Sequence, residues 1–295
     1  MAKKQLQLVF IGFALLLTAH NVLSADEHMA EAVNVTILSS NLANGATIGK
    51  WELSALVEAD NHCVLFDAGR YPDTVIHNAR ALNVDLSCVT DVVLSHFHFD
   101  HTTGLMPLVR TLRKQMLPLK GTFEALGVEF IEHAKPAEVV PGVWVTGTME
   151  CVYPEKNFPS TIKINIDNKW VEDHVPDSQA LTVVTNKGHI VLLGYGHSGV
   201  GNALAHIRTK IKRAPIHALM SGLHLYAASD ETLGWTADVL REIGVEHLMA
   251  GHCTGIEPLI RLRVGLNLNR RTAVVGAVGS RFVYGEGFKP TMIAM

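Results

Sequence analysis

The fold of this 295-residue chain can be inferred from one stretch, Ser95-His96-Phe97-His98-Phe99-Asp100-His101-Thr102. It places three histidines and one aspartate directly after Thr90–Ser95 (TDVVLS), an apolar run typical of a β-strand. In an extended segment, His96 and His98 project to the same side and can hold one cation, while Asp100 and His101 could turn toward a second. The stretch therefore predicts two adjacent metal sites at the carboxyl end of a strand.

The composition predicts a globular protein with a sizeable core. The chain is 48% hydrophobic and 18% charged, which excludes a disordered or fibrous protein. A net charge of -3, from 25 basic and 28 acidic residues, gives no electrostatic reason to expect a nucleic-acid partner. The 16 histidines stand out because imidazole is the commonest metal ligand. We expect a small-molecule substrate as partner; the composition leaves the oligomeric state open.

Residues 1–25 are predicted to be a signal peptide. Lys3 and Lys4 precede the apolar run Leu8–Ala19, and Val22-Leu23-Ser24-Ala25 then offers small residues at which a signal peptidase could cut. The apolar run is too short for a comfortable membrane span, although an uncleaved anchor is the alternative, and no later segment is long enough to cross. We therefore expect residues 26–295 to form a single domain that is periplasmic or secreted.

Strand-type and helix-type runs alternate from Val35 onward, with no repeat or low-complexity linker. The predicted strands are Val35–Ser40, Glu52–Glu58, Cys63–Asp67, Thr90–Ser95, Val128–Glu132, Val143–Thr146, Ala180–Thr185, His189–Leu193, Ile216–Met220, His247–Ala250 and Thr272–Val278. The predicted helices are Asp73–Leu82, Leu105–Met116, one after Ser198, Asp230–Ile243 and Thr254–Val264. The opening strands are expected to be antiparallel, with a hairpin turn at residues 59–61. Strands followed by helices, twice over, predict an α/β fold in which two sheets pack face to face with helices outside.

The pattern H-x-H-x-D-H resembles the signature of the metallo-β-lactamase superfamily. This resemblance implies an αββα sandwich with a metal site at one edge of the two sheets. Gly194–Gly199 (GYGHSG) follows an apolar strand and would place His197 as the third ligand of the first metal. Gly251–Gly255 (GHCTG) would likewise place His252 as the last ligand of the second. The implied ligand sets are His96, His98 and His197 for one metal, and Asp100, His101 and His252 for the other.

Neighbouring residues are expected to support these ligands. Ser198 and Thr254 lie at strand-to-helix junctions and are predicted to cap the helices that follow, whose free N–H groups could bind an anionic group of the substrate. Asp67, in Phe66-Asp67-Ala68-Gly69, matches the superfamily's early D-x-G, which implies that it orients ligands through hydrogen bonds rather than binding metal. Asp177 could act similarly or simply form a turn.

Several segments resemble a narrower group, the dihydropterin-ribofuranosyl-aminobenzene-phosphate synthase-like hydrolases: Gly196–Gly199 with Asn202, Ser221–Leu225 and His252–Gly255. Two positions depart from the usual patterns. His224 stands near the place of a bridging aspartate, and it is a metal ligand, a substrate or proton-donating contact, or a core residue. Tyr195 stands where the narrower group often has cysteine, and could stabilise an oxyanion or pack. The candidate catalytic residues are therefore Asp100, His224 and Tyr195.

Aromatic and sulfur-bearing side chains near these segments have two readings each. Phe97, Phe99, Tyr195 and Tyr226 are candidate pocket walls or core residues.

The cysteines at 63, 88, 151 and 253 are widely spaced and form no C-x-x-C pair, which argues against a disulfide framework and a thiolate zinc site. Export would still permit a disulfide, whose pairing the spacing leaves open. Ligation by His252 is a better use of its loop than a thiol nucleophile at Cys253. The histidines at 28, 62, 77, 133, 174, 189, 206, 217 and 247 have no partners at ligand spacing and are expected to be structural or exposed.

The implied cofactor is a pair of divalent cations. Such a pair would lower the pKa of a shared water and deliver metal-bound hydroxide to a carbonyl or phosphoryl centre. Zinc suits imidazole-rich ligation, with iron or manganese as alternatives. Flavodiiron reductases of this fold have a glutamate where this chain has His98, which argues against their redox chemistry. The motif is compatible with a mononuclear iron persulfide dioxygenase. We therefore expect an exported metal-dependent hydrolase of a small ester, lactone, amide or phosphoester, the alternatives being that dioxygenase and a metal-binding protein without hydrolytic activity.

Overall fold

The computed structural model describes residues 28–112, 123, 127–155, 163–172, 175 and 177–295. The expected signal peptide and the part of the predicted helix Leu105–Met116 that follows Leu112 lie outside this range. The strands are β1 (Val33–Ser39), β2 (Ser54–Ala59), β3 (His62–Phe66), β4 (Val89–Val93), β5 (Ala137–Val140), β6 (Val143–Val145), β7 (Lys163–Ile166), β8 (Lys169–Glu172), β9 (Ala180–Thr185), β10 (Gly188–Leu193), β11 (Ile216–Ser221), β12 (Leu248–Gly251), β13 (Ala273–Gly276), β14 (Arg281–Val283) and β15 (Gly287–Lys289). The helices are α1 (Thr74–Ala81), α2 (Phe99–Thr102), α3 (Leu105–Leu112), α4 (Val200–Lys210), α5 (Asp230–Ile243) and α6 (Ile256–Gly265).

Two mixed sheets form the body of the molecule. The first has the strand order β15-β14-β1-β2-β3-β4 and the second β13-β12-β11-β10-β9-β6-β5, while β7 and β8 pair as a separate hairpin. The opening strands β1, β2 and β3 are antiparallel, as predicted, and a two-residue turn at Asp60–Asn61 joins β2 to β3. The predicted pair of sheets is therefore confirmed.

Three apolar layers hold the sheets and helices together, because the central strands are buried on both faces. Along β10, Ile190 and Leu192 face the space between the sheets, whereas Val191 and Leu193 pack toward helices α4, α5 and α6. Leu65 of β3 faces outward, toward α1 and α3. Burying one such side chain contributes about 2 kcal/mol relative to leaving it in water. Because both faces of these strands are buried, their sequences are nearly continuous apolar runs. Within the described ranges, no helix has the length and apolar character needed to cross a membrane.

Parallel pairing brings five strand ends to one edge of the sandwich. β3 pairs with β4 in parallel, and β10, β11 and β12 are parallel to one another. The carboxyl ends of parallel strands share an edge, so the loops that follow these five strands converge there. Each of the loops carries one or more of the candidate site residues.

Parts of the chain after α3 differ from the predicted strands. Residues 128–132 form no strand, although their apolar pattern predicted one, because Phe130 and Ile131 are exposed and have no sheet to join. The strand lies instead at β5, a few residues later. Strands β14 and β15 were not predicted; each has only three residues, and the second follows a glycine-containing turn, so neither carries a recognisable alternation. The chain thus returns to the first sheet after completing the second.

A disulfide joins Cys63 of β3 to Cys88, just before β4, with 5.6 Å between the Cα atoms. It closes the crossover through α1, a sequence separation of 25 residues. The other two cysteines are free, Cys151 on the surface and Cys253 in the interior. The spacing argument against a disulfide framework thus left room for one bridge, which only the adjacency of β3 and β4 reveals.

Removing this disulfide should lower the free energy of unfolding by about 3 kcal/mol, because a crosslink over a loop of this length restricts the unfolded chain. The test is urea unfolding of the double variant Cys63→Ala/Cys88→Ser beside the wild type. Cys151→Ser, which removes an exposed free thiol, is the control and should unfold at the wild-type midpoint. An unchanged midpoint in the double variant would show that the bridge contributes nothing to stability.

Candidate metal centre

Six side chains converge at the shared sheet edge as two groups of three. The first group is His96, His98 and His197, and the second is Asp100, His101 and His252; within each, the candidate ligand atoms lie within 4.8 Å of one another. The groups adjoin, since the ring centroids of His96 and His101 are 4.3 Å apart. The structure therefore brings together all six residues that the superfamily resemblance implies, in the predicted sets.

The chain after β4 explains how one short segment serves both groups. It is extended through His98 (φ −67°, ψ 148°), so His96 and His98 share a side while Phe97 points outward and is 76% exposed. The single turn of α2 then carries Asp100 and His101 into the interior. Asp177 holds the extended part, because its carboxylate accepts a hydrogen bond of 2.7 Å from the Phe97 amide. Asp177 thus orients the ligand loop.

Charge and burial set the protonation states of the second group. Asp100 Oδ2 lies 3.2 Å from His252 Nε2 and 3.7 Å from His101 Nε2. Burial acts to raise the pKa of Asp100, but the contacts with His252 and His101 outweigh it and lower that pKa to about 2. The carboxylate is therefore ionised over the whole physiological range.

Three of the buried imidazoles are neutral. Burial, followed by repulsion from neighbouring histidines, lowers the pKa of His96, of His101 and of His197 well below the ordinary value. In the first group, His197 Nε2 lies 3.3 Å from His98 Nδ1. Neutral imidazole and ionised carboxylate are the forms that bind metal, so the ligands whose pKa is lowered are already in the form that a cation requires.

Two buried nitrogens indicate that the cluster fits metal ions. The Nε2 atoms of His96 and His101 are inaccessible to solvent and have no hydrogen-bond partner among the described residues. Buried polar atoms in proteins are nearly always paired, and leaving one unpaired costs about 1–3 kcal/mol. A cation coordinated by each group would satisfy both. The imidazole-rich donor set suits zinc and accommodates iron or manganese.

A hydrogen-bond network centred on Asp67 orients these two rings. Asp67 is fully buried; its carboxylate accepts hydrogen bonds from the Ser95 amide at 2.7 Å and the Ser95 hydroxyl at 2.8 Å, and lies 2.6 Å from His101 Nδ1. The Ser95 hydroxyl has one proton, which it donates to Asp67, so it accepts a bond of 2.9 Å from His96 Nδ1. His96 Nε2 therefore carries a lone pair that faces the cluster.

Asp67 and His101 share one proton. Burial raises the pKa of Asp67 to about 8, against the hydrogen bonds from Ser95 that act to lower it. A cation on His101 Nε2 would place the shared proton on Nδ1, where the carboxylate accepts it. Asp67 therefore lies where the resemblance implied an orienting residue.

Sequence reasoning missed Ser95, although it begins the ligand segment. A side chain at Gly194 would overlap the Ser95 hydroxyl, so the glycine that follows β10 is required for the network to form.

Strained backbone is concentrated at the same edge. Asp67, Ser221, His224 and His252 have φ values of 60°, 88°, 51° and 48°. Such left-handed conformations cost non-glycine residues about 1–3 kcal/mol each and persist only where surrounding structure imposes them. Here the strain aims side chains from three segments, at the ends of β3, β11 and β12, at one point, which no local sequence signal predicts.

Tyr195 and His224 lie beside the first group. The Tyr195 ring stacks on that of His197 with centroids 4.4 Å apart, and the buried ring of His224 lies 4.6 Å from Tyr195 and 5.0 Å from His197. Burial raises the pKa of Tyr195, so its hydroxyl keeps its proton. Neither residue is in the two ligand groups of the described chain.

Aromatic side chains line the mouth of the cluster. The Trp51 ring lies 5.1 Å from His252 and 6.1 Å from Tyr226, between centroids. Sequence reasoning missed Trp51, which precedes β2 and has no motif around it. Phe97 and Phe99 are 76% and 53% exposed, so they are surface residues at the rim rather than core.

The predicted helix caps are wrong. Gly199, not Ser198, precedes α4, and the amides of Val200 and Gly201 donate to the Glu155 carboxylate at 2.9 Å. This helix end is therefore already satisfied and is not open to a substrate anion. Gly255 precedes α6, and the Thr254 hydroxyl instead accepts a hydrogen bond from the Leu223 amide.

Cys253 follows the last ligand and is fully buried. Burial raises the pKa of its thiol well above the ordinary value. A thiol that stays protonated is a poor nucleophile, in agreement with the expectation for this residue.

Breaking the orienting network should weaken metal binding. Asp67→Asn and Ser95→Ala should each lower metal affinity about 10–100-fold, because the rings of His96 and His101 lose the partners that fix their orientation. Competition with a chromophoric chelator measures this affinity. Ser87→Ala is the matched control, since Ser87 also bonds an aspartate, Asp85, but on the surface. Wild-type affinity in both variants would contradict the orienting role.

Comparison with known proteins agrees with this geometry. Residues 52–211 match the family model of the Metallo-beta-lactamase superfamily. The chain is 28% identical over 243 residues to 7,8-dihydropterin-6-methyl-4-(beta-D-ribofuranosyl)-aminobenzene-5'-phosphate synthase of Methanocaldococcus jannaschii, an alignment that covers 70% of this chain and 81% of that protein.

Solved structures show the same fold. Tm1679, a metal-dependent hydrolase of the beta-lactamase superfamily, superposes with a TM-score of 0.69 at 21% identity, covering 84% of this chain and 98% of that one. Zn(2+)-bound PqqB from Methylobacterium extorquens gives a TM-score of 0.51 at 13% identity, covering 84% and 99%. With the family match spanning more than half of the sequence, the chain belongs to the metallo-β-lactamase superfamily.

Proposed function

We propose that this protein is an exported metal-dependent hydrolase that acts on a small ester, lactone, amide or phosphoester. The observation that carries the proposal is the pair of adjoining ligand groups at one sheet edge, five imidazoles and one carboxylate in all. This donor set requires no serine or cysteine nucleophile, and the buried thiol of Cys253 offers none.

The ligands divide the binding of two cations between the loops. His96, His98 and His197 would hold one cation, and Asp100, His101 and His252 the other. Bound divalent cations supply a nucleophile at neutral pH by lowering the pKa of water, and they polarise an oxygen of the substrate. The ionised Asp100 contributes negative charge that offsets the positive charge of the site. Asp67 and Ser95 keep two of the rings aimed inward.

Tyr195 and His224 are the proposed substrate contacts. The Tyr195 hydroxyl keeps its proton because burial raises its pKa, so it can donate a hydrogen bond to negative charge that develops on the substrate. His224 packs against Tyr195 and His197 and is therefore close enough to contact a substrate or donate a proton to its leaving group. Of the three readings of His224, this position beside the ligands favours substrate contact over ligation.

The rim supports a small substrate with an apolar or aromatic part. Trp51, Phe97, Phe99 and Tyr226 are all substantially exposed around the cluster. The guanidinium of Arg70 lies 4.4 Å above the Phe99 ring and adds a positive charge at the entrance. The relative from Methanocaldococcus jannaschii is named for a phosphate-bearing compound, which supports including phosphoesters among the candidates.

The disulfide supports export. Disulfides form and persist in oxidising compartments and are rare in the cytosol. The Cys63–Cys88 bridge therefore agrees with the signal-peptide pattern of residues 1–25. We propose a periplasmic or secreted mature protein of residues 26–295.

Removing one ligand from each group tests the site. His96→Ala and His252→Ala should each lower the bound metal per chain and abolish turnover, because each removes one of three donors. Metal content by mass spectrometry and hydrolysis rate are the measurements. His77→Ala, an exposed histidine of α1 that contacts only the Ala46 carbonyl among the bonds seen, is the control and should behave as wild type. Full activity in both ligand variants after purification with a chelator would sink the assignment.

A panel of lactone, phosphodiester and β-lactam probes tests the reaction class on the mature protein. We expect hydrolysis of at least one probe, lost on chelation and restored by zinc. Bound metal without hydrolysis of any probe would favour a binding protein. Oxygen consumption with a persulfide by a form that holds only iron would instead support the dioxygenase.

A further inference from the structure

A third group of potential ligands lies at the opposite end of the second sheet. It consists of His217, Glu246 and His247, whose ligand atoms lie within 4.8 Å of one another. His217 is near the start of β11, and Glu246 and His247 immediately precede β12. Because β11 and β12 are parallel, their starts lie at the edge away from the cluster described above, and the chain from His247 to His252 spans about 16 Å along β12. The expectation that His217 and His247 lack partners at ligand spacing is therefore wrong; they become neighbours only through strand pairing.

The backbone holds this group firmly. The Leu219 amide donates to the His247 carbonyl at 2.9 Å, and the Glu246 amide donates to the Ile216 carbonyl at 3.2 Å. The two imidazole centroids are 5.0 Å apart. Both rings also lie 5.8 Å from Phe282 of β14, which packs across from the first sheet. The ligands are therefore preorganised on two paired strands rather than on a loose surface loop.

Hydrogen bonding leaves His247 in the form that binds metal. Its Nδ1 lies 3.0 Å from the His217 carbonyl, which can only accept a hydrogen bond, so Nδ1 carries the proton and Nε2 the lone pair. Metal-binding histidines in proteins almost always donate the other ring N–H in this way. Near Nε2 the neighbouring hairpin has glycine, Gly287, at which even a Cβ would stay 3.7 Å away. A side chain at this position would contact Nε2, and the glycine leaves that contact open.

The contact between His217 and Glu246 brings a negative charge to this group. His217 Nδ1 lies 2.7 Å from Glu246 Oε2, and the Glu246 side chain is 54% exposed and can turn. Two ligand atoms bound to one zinc ion, at bond lengths of about 2.0–2.1 Å and tetrahedral angles, lie about 3.3 Å apart. This separation falls between the 2.7 Å contact of His217 with Glu246 and the 4.8 Å limit for the whole group, so small side-chain movements would bring the ligand atoms to it. Lys187, whose amine lies 5.5 Å from the Tyr284 ring nearby, opposes a cation, and the Glu246 carboxylate offsets that charge.

We propose that His217, Glu246 and His247 form a separate binding site for a first-row divalent transition metal, Zn²⁺ above all. Two imidazoles and one carboxylate suit such an ion, whereas Ca²⁺ and Mg²⁺ require oxygen ligands. Three protein ligands leave the remaining positions to water. The bound ion would join the starts of β11 and β12 and stabilise the folded chain by its binding free energy.

Zinc counting by equilibrium dialysis tests the proposal without reference to hydrolysis. His247→Ala should bind one zinc per chain fewer than the full-length wild type at the same free zinc concentration. Glu246→Gln should weaken this zinc at least tenfold, since it keeps the shape of the side chain but removes the charge. His28→Ala is the matched control, because it breaks another histidine–carboxylate pair, with Asp60 at 3.1 Å, that belongs to no ligand group of the described chain. It should bind as much zinc as the wild type.

Equal zinc counts in wild type and His247→Ala would overturn the proposal, as would the same loss in His28→Ala. Circular dichroism establishes that each variant is folded, and Glu246→Gln, altered only at an exposed side chain, provides the test should His247→Ala fold poorly. Because zinc is counted as a difference between variants, the outcome does not depend on how many ions the main cluster holds. Loss of hydrolysis in His96→Ala with this zinc retained would separate the two sites.

Discussion

The arrangement of the metal centre depends on one buried carboxylate, that of Asp67. Water cannot solvate it, so its oxygens must be paired within the protein, and Ser95 and His101 supply the partners. The same bonds draw the segment after β4 against the end of β3, where the Ala68 amide also donates to the His101 carbonyl at 2.8 Å. Pairing this one group therefore aligns the rings of His96 and His101 before any metal binds.

The site is costly to build, and the sandwich tolerates the cost. Four non-glycine residues adopt left-handed backbone conformations, and neutral imidazoles face one another without full hydrogen bonding. Each such feature costs about 1–3 kcal/mol. Strands such as β10, buried on both faces, supply the opposing apolar burial. The apolar burial in the interior offsets the strain of the backbone at the edge where the ligands converge.

The fold and the ligands were predictable to different depths. Periodicity was sufficient for the long buried strands, and it failed for residues 128–132, where an apolar pattern meets solvent rather than a sheet. The six proposed ligands were identified because five imidazoles and one carboxylate occur in motifs. Ser95, Trp51 and Glu155 were not identified, because each contributes through a contact with a residue that is distant in the sequence. A serine, a tryptophan or a glutamate alone carries no such signal.

The sequence by itself determined which chemistry is available: clustered imidazoles, one carboxylate between them, and glycines where loops must pass closely. These are properties of residue type and local spacing. The tertiary structure alone decided which residues meet, namely the Cys63–Cys88 bridge, the partners of Asp67, and the group of His217, Glu246 and His247. Each of these contacts arises from parallel strand pairing, which joins segments 25–34 residues apart whose relation no local pattern records.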